Sequence, residues 1–520
     1  MNIAGILARA AERHGGRIAL TDLDDPAGRR DITYRQLWEQ VQRTARMLRD
    51  AGMQPGERVA MLMGNSWEYV QTFLAICSAG LVAVPMNTRL LEDELLHILQ
   101  DSGARMLAAH GGLLQARRKL LGAAPLGELV ARPAEALGPG QRAFEQFLLS
   151  EAAAEPAPVH ADTLASINYT SGTTGLPKGA MLPHRAWDAV AGYTCELLGF
   201  QEDEVTLHTA ALTHGSGFLM LPTMQVGGRA VLCAKFDPPR VLQLLRDEQV
   251  TSGFLVPSMI QMLLDAHGDA PPLRGLALRA MYYAGSPIDP STLRGALATF
   301  GDVLVQSFAQ TEIPMFLTSR GRAEHDLING AKPHLIRAAG RVVPGVKLRV
   351  VDEQQRDVPP GEPGEVIAQG PHMMLGYWNR PEATADTIVN GWLHTGDVGR
   401  LDAEGYLYIV DRKKDMIISG GSNVYAREVE DALLRLSGIK EAAVIGLPHP
   451  KWGEMVTAVL VAEREPLAES ELDAFCRREL ADYRRPRKSF WVDQLPRNPY
   501  GKILKRQLRD RFDTRIEEQA

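Results

Sequence analysis

The segment from Tyr169 to Gly179, YTSGTTGLPKG, concentrates glycine, serine and threonine in one short stretch and carries a lysine, Lys178, near its end. Glycine permits backbone angles that other residues avoid and exposes peptide N–H groups, while the hydroxyls add hydrogen-bond donors. With the mobile charge of Lys178, such a loop can wrap phosphate oxygens. It is not a Walker A motif, because no Gly-Lys-Ser or Gly-Lys-Thr occurs there. A flexible surface loop would have the same composition, so this stretch alone leaves both interpretations open.

The full string Ser-Gly-Thr-Thr-Gly-Leu-Pro-Lys-Gly resembles the phosphate loop of the adenylate-forming superfamily, which includes acyl-CoA synthetases, adenylation domains and beetle luciferases. Further motifs of that family follow in the right order: YYAGSPI from Tyr282, QSFAQTE from Gln306, GWLHTGDVG from Gly391 and LPRNPYGKILKR from Leu495. The resemblance covers most of the chain. It implies that a carboxylate attacks the α-phosphate of ATP with the help of Mg²⁺, that pyrophosphate leaves, and that the thiol of CoA then displaces AMP.

The resemblance also assigns roles around the nucleotide. Phe308 would stack on adenine, Asp397 would accept hydrogen bonds from both ribose hydroxyls, and Arg412 would be a second ribose contact. Glu312 would hold Mg²⁺, since one carboxylate with phosphate oxygens and water suits this ion. Ala309 stands where the family has glycine. Because alanine resists positive φ, it is open whether the backbone at this position has the family's conformation. The predicted ATP/AMP-binding residues are Thr170, Ser171, Gly172, Thr173, Thr174, Gly175, Lys178, Gly285, Ser286, Ser307, Phe308, Ala309, Thr311, Asp397 and Arg412.

A lysine near the C-terminal end completes the implied chemistry. Lys502 resembles the family's catalytic lysine, a compact point charge that bridges the carboxylate and the α-phosphate. The thiol must approach where this lysine sits, so the family rotates its small C-terminal domain about a hinge, which corresponds to Lys414. Glycines would border the pantetheine tunnel, and arginines suit the CoA phosphates through their planar fork. The predicted CoA-binding residues are Gly420, Gly421, Trp452, Tyr483, Arg485 and Arg487.

The stretch LTHGSGF provides the candidate acyl pocket. His214 falls where the family commonly carries a histidine beside the acyl group, although a hydrogen-bonded core histidine fits the same sequence as well. Gly215 and Ser216 leave space, and Phe218 could line an apolar pocket. The stretch lacks the Asp with which amino-acid-activating domains hold the substrate amine, so we expect an apolar fatty or aromatic monocarboxylate. The predicted catalytic residues are Lys502, Glu312 and His214.

Composition narrows the function classes. The 520 residues exceed one ordinary core, and a net charge of −6 gives no global basic field for nucleic acid. The four cysteines are scattered without CxxC spacing, which indicates neither a zinc site nor a disulfide framework and fits a reducing cytoplasm. Residues 205–228 contain no Asp, Glu, Lys or Arg and are long enough to span a bilayer. Their His, Pro and Gly content instead predicts buried interior around a pocket and no transmembrane segment.

Alternating apolar strands and helices predict an α/β fold. Thr33 and Gln36 form a capping box at the start of an early helix, and buried strands RVAMLM and LVAVPM flank a second helix. Around the phosphate loop, ASINY predicts a strand and HRAWDAVAGYTCELL a helix. We expect a large N-terminal domain (1–413) of parallel βα layers with a β-rich subdomain past residue 340, and a small mobile α+β C-terminal domain (414–520).

Several functions share this scaffold. A free-standing acyl-CoA ligase is favoured, and an adenylate-forming enzyme that loads a separate acyl carrier protein is the alternative. A nucleotide-binding regulator without catalysis is disfavoured, because the charged residues at the implied site are intact. We expect a small carboxylic acid and CoA as partners, and no nucleic acid; a homodimer is left open.

Overall fold

The computed structural model of the protein describes residues 2–133, 136–148, 153–170, 177–497 and 503–517. The chain divides into two compact units. Among the described residues, the first unit contains residues 2–170, 177–348 and 368–393, and the second contains 349–367 and 394–517. The second unit therefore includes residues on the N-terminal side of Lys414, and a functional domain boundary at Lys414 stays a prediction.

The α-helices are distributed along the whole chain. In order they are α1 (Ala4–His14), α2 (Tyr34–Asp50), α3 (Trp67–Ser78), α4 (Glu92–Asp101), α5 (Gly111–Gln115), α6 (Phe144–Leu148), α7 (His184–Leu198), α8 (Met220–Gln225), α9 (Pro238–Asp247), α10 (Pro257–His267), α11 (Pro290–Phe300), α12 (Arg322–Asp326), α13 (Pro381–Thr387), α14 (Ala426–Leu433), α15 (Glu469–Glu479) and α16 (Lys505–Glu517).

The strands alternate with these helices in the first unit and become denser past residue 300. In order they are β1 (Ile18–Asp22), β2 (Arg30–Thr33), β3 (Arg58–Leu62), β4 (Val82–Pro85), β5 (Met106–His110), β6 (Glu128–Ala131), β7 (Gln141–Ala143), β8 (Leu164–Tyr169), β9 (Gly179–Pro183), β10 (Val205–His208), β11 (Arg229–Leu232), β12 (Ser252–Leu255), β13 (Ala280–Tyr283), β14 (Leu304–Gln310), β15 (Ile313–Arg320), β16 (Gly340–Val342), β17 (Lys347–Val351), β18 (Gly364–Gln369), β19 (Ile388–Val389), β20 (Trp392–Leu401), β21 (Tyr406–Arg412), β22 (Ile417–Ser419), β23 (Ser422–Val424), β24 (Ile439–His449), β25 (Gly453–Ala462) and β26 (Lys488–Trp491).

The first unit contains two mainly parallel sheets, as the sequence predicts. One is seven-stranded in the order β7-β6-β5-β3-β4-β8-β9, and the other runs β2-β1-β11-β10-β12-β13-β14-β15-β16. The central pairs of both sheets are parallel, while β2, β9, β15 and β16 add antiparallel pairs at the edges. Strands β3 and β4 are buried along almost their whole length, which explains their continuous apolar runs.

Local sequence signals account for several of these elements. Thr33 and Gln36 form the expected capping box, and α2 buries one face through Leu37, Val41 and Leu48. The uncharged stretch 205–228 forms β10, a 3₁₀ turn and the short helix α8, so it is interior and not a long helix. In the part of the chain that the structure describes, no helix has the length and apolar character needed to cross a bilayer.

The second unit combines two β structures with helices. Strands β17, β18, β20 and β21 lie side by side and form the expected β-rich portion. The C-terminal sheet has the order β23-β22-β25-β24, with β26 added parallel to β25. Apolar side chains of β24 and β25 pack with α14 and α15 in one cluster, and a second set packs with α16 in another. This is the α+β arrangement that the sequence predicts.

Candidate active site

The predicted phosphate loop connects two antiparallel strands. Tyr169 at the end of β8 pairs with Gly179 at the start of β9, and the N–H of Thr170 donates to the carbonyl of Lys178 (2.9 Å). These contacts hold the two ends of the loop together. Five predicted phosphate contacts lie outside the described residues: Ser171, Gly172, Thr173, Thr174 and Gly175.

Strand β9 lies between the predicted phosphate loop and α7, where the sequence analysis predicted no strand. Its residues pair with β8 before α7 begins at His184. Gly179 at its first position is closely surrounded, because a Cβ there would come within 2.5 Å of Ile167 and 3.0 Å of the Tyr169 ring. This close packing fixes the backbone that carries the preceding residue, Lys178.

Lys178 and Glu312 contact the same side chain, Tyr377, although they are far apart in sequence. Nζ of Lys178 lies 4.9 Å from the centre of the Tyr377 ring, a cation–π distance. The Tyr377 hydroxyl donates a 2.5 Å hydrogen bond to Oε1 of Glu312. Tyr377 is 7% exposed; burial, reinforced by the negative charge of Glu312, raises the pKa of its hydroxyl well above the ordinary value, so the hydroxyl remains a donor.

Glu312 lies at the tip of a two-residue hairpin. Gln310 on β14 pairs with Ile313 on β15, so Thr311 and Glu312 are the two turn residues. A carboxylate in such a turn is carried by a short, hydrogen-bonded backbone segment. The motif QSFAQTE is thus the end of one strand and the turn that follows it.

The residues before this turn have distinct environments. Ala309 does not have a positive φ, so the alanine is not strained. The pairing register shifts between Phe308 and Gln310, and the extra residues lie on the opposite strand, β15. Phe308 is half-buried against the main core. The buried Ser307 hydroxyl shares a 2.5 Å hydrogen bond with the Tyr282 hydroxyl, so a nucleotide contact of Ser307 would have to come from its backbone.

The predicted adenine-side loop follows β13. Gly285 has φ +93°, a backbone angle that favours glycine, whereas a Cβ there would meet only Val256 at 3.6 Å. Conformation and not crowding therefore requires this glycine. Ser286 beside it is exposed.

Tyr377 belongs to a segment that the sequence analysis did not assign. Residues 374–378 run beside β9, with Ala180 paired to Tyr377. At the other end of the segment, the N–H of Met374 donates to the carbonyl of Glu312 (2.8 Å). The segment therefore links the strand that leaves the phosphate loop to the Glu312 turn. Its only sequence signal is an aromatic pair after glycine, GYW, in an irregular stretch.

The predicted ribose contacts form a pair within the second unit. Asp397 on β20 lies directly opposite Arg412 on β21, and Nε of Arg412 is 2.6 Å from Oδ1 of Asp397. Asp397 is 2% exposed, and its N–H donates to Oγ1 of Thr395 (3.1 Å). The arginine thus holds the carboxylate in place.

The predicted hinge lies in a short 3₁₀ turn, Lys413–Asp415. Lys413 pairs with Glu365 (2.9 Å), and Asp415 pairs with Arg509 (3.2 Å). Ion pairs therefore hold both neighbours of Lys414, whose own side chain is exposed. Rotation about Lys414 stays a prediction.

The glycines predicted to border CoA form a tight turn. Ser419 pairs with Ser422, so Gly420 and Gly421 are the central residues of a hairpin, with φ +58° and +80°. Two positive φ values define a type I′ turn, which favours glycine at both positions. A Cβ on Gly420 would lie 3.2 Å from the Trp452 ring, so the turn and the predicted CoA-binding tryptophan are in contact.

Asp482 binds both arginines that were predicted to receive the CoA phosphates. Arg485 forms an ion pair with Oδ1 of Asp482, and Arg487 donates to Oδ2 at 2.8 Å. The hydrogen bond from Arg487, together with the positive charges of both arginines, lowers the pKa of the Asp482 carboxyl. The Arg487 guanidinium also lies 5.4 Å from the Trp452 ring, while Tyr483 is exposed.

Lys502, the predicted catalytic lysine, lies outside the described residues. The described chain resumes at Ile503, which pairs across a β-bridge with Arg497. The role of Lys502 stays a prediction.

The candidate acyl region forms a tight turn that ends a series of buried, hydrogen-bonded polar side chains. Burial lowers the pKa of His214, which favours its neutral form. Ser216 is fully buried, and its hydroxyl lies 3.0 Å from Nδ1 of His208. Burial lowers the pKa of His208 to about 4, and Thr206 contacts its other ring nitrogen (2.9 Å). Ser216 therefore anchors the turn in the core. The sequence did not single out His208, because its role depends on this folded contact.

An apolar cavity of about 20 Å³ lies beside this turn. Phe218 stacks on Trp187 at 4.2 Å between ring centres, and Trp187 lines the cavity. The cavity is lined by Tyr69, Val70, Phe73, Leu74, Trp187, Leu212, Gly217, Met220, Leu221 and Met224. His214 is not among these lining residues, so its place beside the acid stays a prediction.

Comparisons with known proteins cover nearly the whole chain. The family model of AMP-binding enzymes matches residues 7–378, and the model of their C-terminal domain matches residues 428–502. The chain is 38% identical over 511 residues to a feruloyl-CoA synthase from Amycolatopsis sp (96% of both chains). It is 37% identical over 492 residues to the fatty acid–[acyl-carrier-protein] ligase ScoC from Streptomyces coeruleorubidus (93% of this chain, 92% of ScoC).

A solved structure shares the fold. ATP-bound MatB from Rhodopseudomonas palustris has a TM-score of 0.86 at 30% identity and covers 99% of both chains. The chain belongs to the family of AMP-binding, adenylate-forming enzymes. Within that family it is an acid–thiol ligase of the AMP-forming, acyl-CoA synthetase branch.

Proposed function

We propose that this protein joins an apolar carboxylic acid to the thiol of CoA at the expense of ATP, by way of an acyl-adenylate. The observation that carries the proposal is the cluster in which Lys178, at the end of the predicted phosphate loop, and Glu312 both contact Tyr377. A cation and a carboxylate fixed beside a glycine-rich loop are what a metal–triphosphate needs.

The residues present fit Mg²⁺. Among the residues that the structure describes, no group of three or more His, Cys, Asp or Glu side chains could hold a metal by itself. Mg²⁺ is instead commonly bound by one or two carboxylates together with substrate phosphates and water, and Glu312 supplies one such carboxylate. When bound there, Mg²⁺ would neutralise charge on the phosphates of ATP.

In the first half-reaction the protein positions and neutralises charge. Lys178 would bind phosphate oxygens, and the Asp397–Arg412 pair would bind the ribose, with Asp397 as acceptor. The carboxylate of the acid would attack the α-phosphate, and pyrophosphate would leave. Lys502 would bridge the attacking carboxylate and the α-phosphate.

In the second half-reaction the CoA thiol attacks the acyl carbonyl and AMP leaves. Trp452, Arg485 and Arg487 are grouped within the second unit, where an aromatic face and two guanidinium groups suit the adenine and phosphates of CoA. Gly420 and Gly421 lie beside Trp452 and would allow close approach of the pantetheine arm.

The acid is proposed to be a fatty or aromatic monocarboxylate. The wall near the predicted acyl turn is apolar and aromatic, and the neutral form favoured for His214 would supply no charge to pair with a second carboxylate. The similarity to a feruloyl-CoA synthase agrees with an aromatic acid.

A carrier-loading ligase is the second candidate, because ScoC acts on an acyl carrier protein and is about as similar to this chain as the feruloyl-CoA synthase. The arginines near Trp452 favour CoA.

A cytoplasmic location agrees with the use of ATP and CoA.

The experiment is to incubate the protein with ATP, Mg²⁺, CoA and a panel of carboxylic acids, and to measure AMP release. We expect release with aromatic or fatty acids and little release with amino acids or dicarboxylates. Replacing CoA by an acyl carrier protein separates the two candidates, and release only with the carrier would overturn the CoA assignment.

A further inference from the structure

We propose that Tyr377 is a positioning residue that keeps the metal-binding carboxylate of Glu312 and the phosphate-binding ammonium of Lys178 apart and correctly aimed. The proposal rests on the proposed function, since it takes Glu312 and Lys178 as nucleotide contacts. It adds a residue outside the motifs that define the predicted site.

The hydroxyl of Tyr377 acts on one oxygen of Glu312. Its 2.5 Å hydrogen bond engages Oε1, so Oε2 remains to bind a metal ion. Carboxylates that ligate metals are commonly oriented by such a second hydrogen bond, which fixes their rotamer. Mg²⁺ is demanding in its geometry, so this orientation affects its affinity.

The ring of Tyr377 acts on Lys178. The ammonium lies 4.9 Å from the ring centre, in the range where the ring face attracts a cation. Lysine and glutamate near each other would otherwise tend to form an ion pair. Such a pair would compete both with phosphate for Lys178 and with Mg²⁺ for Glu312. Tyr377 opposes it by engaging Lys178 at the ring face and Glu312 at the hydroxyl.

The backbone holds Tyr377 rigidly in this place. The N–H of Tyr377 donates to Oγ1 of Thr384 (2.8 Å), and Tyr377 forms a β-bridge with Ala180 on β9. Gly376 before it has φ +141°, and a Cβ there would come within 2.6 Å of Thr384. Only glycine therefore allows the segment to approach α13 so closely.

The partner of the hydroxyl distinguishes Tyr377 from buried tyrosines of purely structural role. The Tyr34 hydroxyl donates to the carbonyl of Gly228 (2.5 Å), and the Tyr69 hydroxyl donates to that of Leu212 (3.2 Å). Those bonds satisfy backbone groups of the core. Tyr169 also binds a carboxylate, that of Asp101 (2.7 Å), but Asp101 is neutralised by an ion pair with Arg380 (2.6 Å). Tyr377 instead binds the carboxylate at the tip of the β14–β15 hairpin.

The test is calorimetry of ATP binding to the full chain, with free Mg²⁺ varied and with chelator present. Tyr377→Phe removes the hydroxyl and keeps the ring. We expect it to raise the free Mg²⁺ concentration for half-maximal ATP binding about 10- to 100-fold, the usual effect of losing a partner of a metal ligand. Its ATP affinity without metal should equal that of the wild type.

Tyr377→Leu also removes the ring, so it should in addition weaken ATP binding without metal. Tyr34→Phe is the matched control, because it removes a buried tyrosine hydrogen bond of the same length whose partner, the carbonyl of Gly228, is not a predicted nucleotide contact; it should leave the Mg²⁺ dependence unchanged. A wild-type Mg²⁺ dependence in Tyr377→Phe, or an equal loss with and without metal, would overturn the proposal. Absence of ATP binding by the wild type would instead overturn the proposed function, and the present inference with it.

Discussion

Aspartate–arginine pairs occur at two predicted ligand sites with opposite consequences. Asp397 is 2% exposed and is fixed by Arg412, so it is preorganised as an acceptor for a ribose. Asp482 is largely exposed, and it holds the two arginines that are predicted to bind CoA phosphates. In the first pair the arginine supports the ligand-binding group, whereas in the second the aspartate competes with the ligand.

Asp482→Asn tests this competition. The amide removes the negative charge that pairs with Arg485 and Arg487, so both guanidinium groups become available to a phosphate. We expect several-fold tighter binding of CoA, measured by calorimetry. Dephospho-CoA, which lacks the 3′-phosphate, is the control ligand and should gain less. Weaker CoA binding by the variant would contradict the predicted phosphate contact.

At the scale of elements, the acyl turn shows how packing fixes a loop. Gly217 lies in the 3₁₀ turn after His214, and a Cβ there would come within 1.9 Å of the Leu212 carbonyl oxygen. The backbone cannot yield easily, because Ser216 is anchored to His208 in the core. The position of the acyl turn therefore depends on a glycine that contacts no ligand in our account.

Gly217→Ala should lower the free energy of unfolding by about 1–3 kcal/mol, because it overpacks a buried site. Gly192→Ala is the matched control: this glycine lies inside α7, and a Cβ added to it would meet nothing within 4 Å beyond the helix's own backbone, so alanine should stabilise the helix by about 0.5–1 kcal/mol. Urea denaturation measures both changes. Equal effects of the two substitutions would show that the turn is not closely packed.

The sequence predicted elements well where the signal is local. The capping box at Thr33, the buried strands β3 and β4 and the C-terminal α+β pattern all follow from periodicity or from short-range hydrogen bonding. Strand β9 was missed, because five residues directly before a long helix give no separate periodic signal. The backbone at Ala309 was questioned because a glycine was expected, yet Ala309 does not have a positive φ, so alanine is accommodated without strain.

The candidate site was predictable in residue type but not in its partners. Glu312, Asp397 and Lys178 stand out through motifs. Tyr377 lies 65 residues from Glu312 in sequence, and only the fold brings them together. The same holds for His208 and Ser216, whose contact depends on the turn between them.

At the scale of the whole molecule, buried histidines make stability depend on pH. Burial lowers the pKa of His110, His184, His208 and His372 to about 4 and that of His325 to about 3. All five lie in the first unit. When unfolded, each binds a proton below its ordinary pKa of about 6.5, whereas the folded state resists protonation.

The contribution of these histidines to stability should therefore be constant above about pH 6.5 and should decrease as the pH falls towards 4, by up to about 1.4 kcal/mol per pH unit for each histidine. Urea denaturation across this range measures the decrease. His372→Phe removes one titrating imidazole and should make the decrease shallower. A stability that stays constant down to about pH 5 would contradict the predicted neutral burial.

Two substitutions should each impair one half-reaction and spare the other. Lys502→Ala should strongly reduce acid-dependent ATP–pyrophosphate exchange while thioester formation from supplied acyl-adenylate is retained. Lys414→Pro should do the opposite, because proline restricts the backbone about which the C-terminal part would rotate. Equal loss of both half-reactions in Lys502→Ala would refute its assigned role, and normal thioester formation in Lys414→Pro would refute the hinge.

Formation of an acyl-adenylate before any thiol is present is the central claim, and ATP–pyrophosphate exchange in the absence of CoA measures it most directly. With Mg²⁺ and an apolar acid from the active panel, the wild-type protein is predicted to exchange labelled pyrophosphate into ATP, and omission of the acid should abolish the signal. Exchange that requires CoA, or AMP release from the same acid with no exchange at all, would contradict the account.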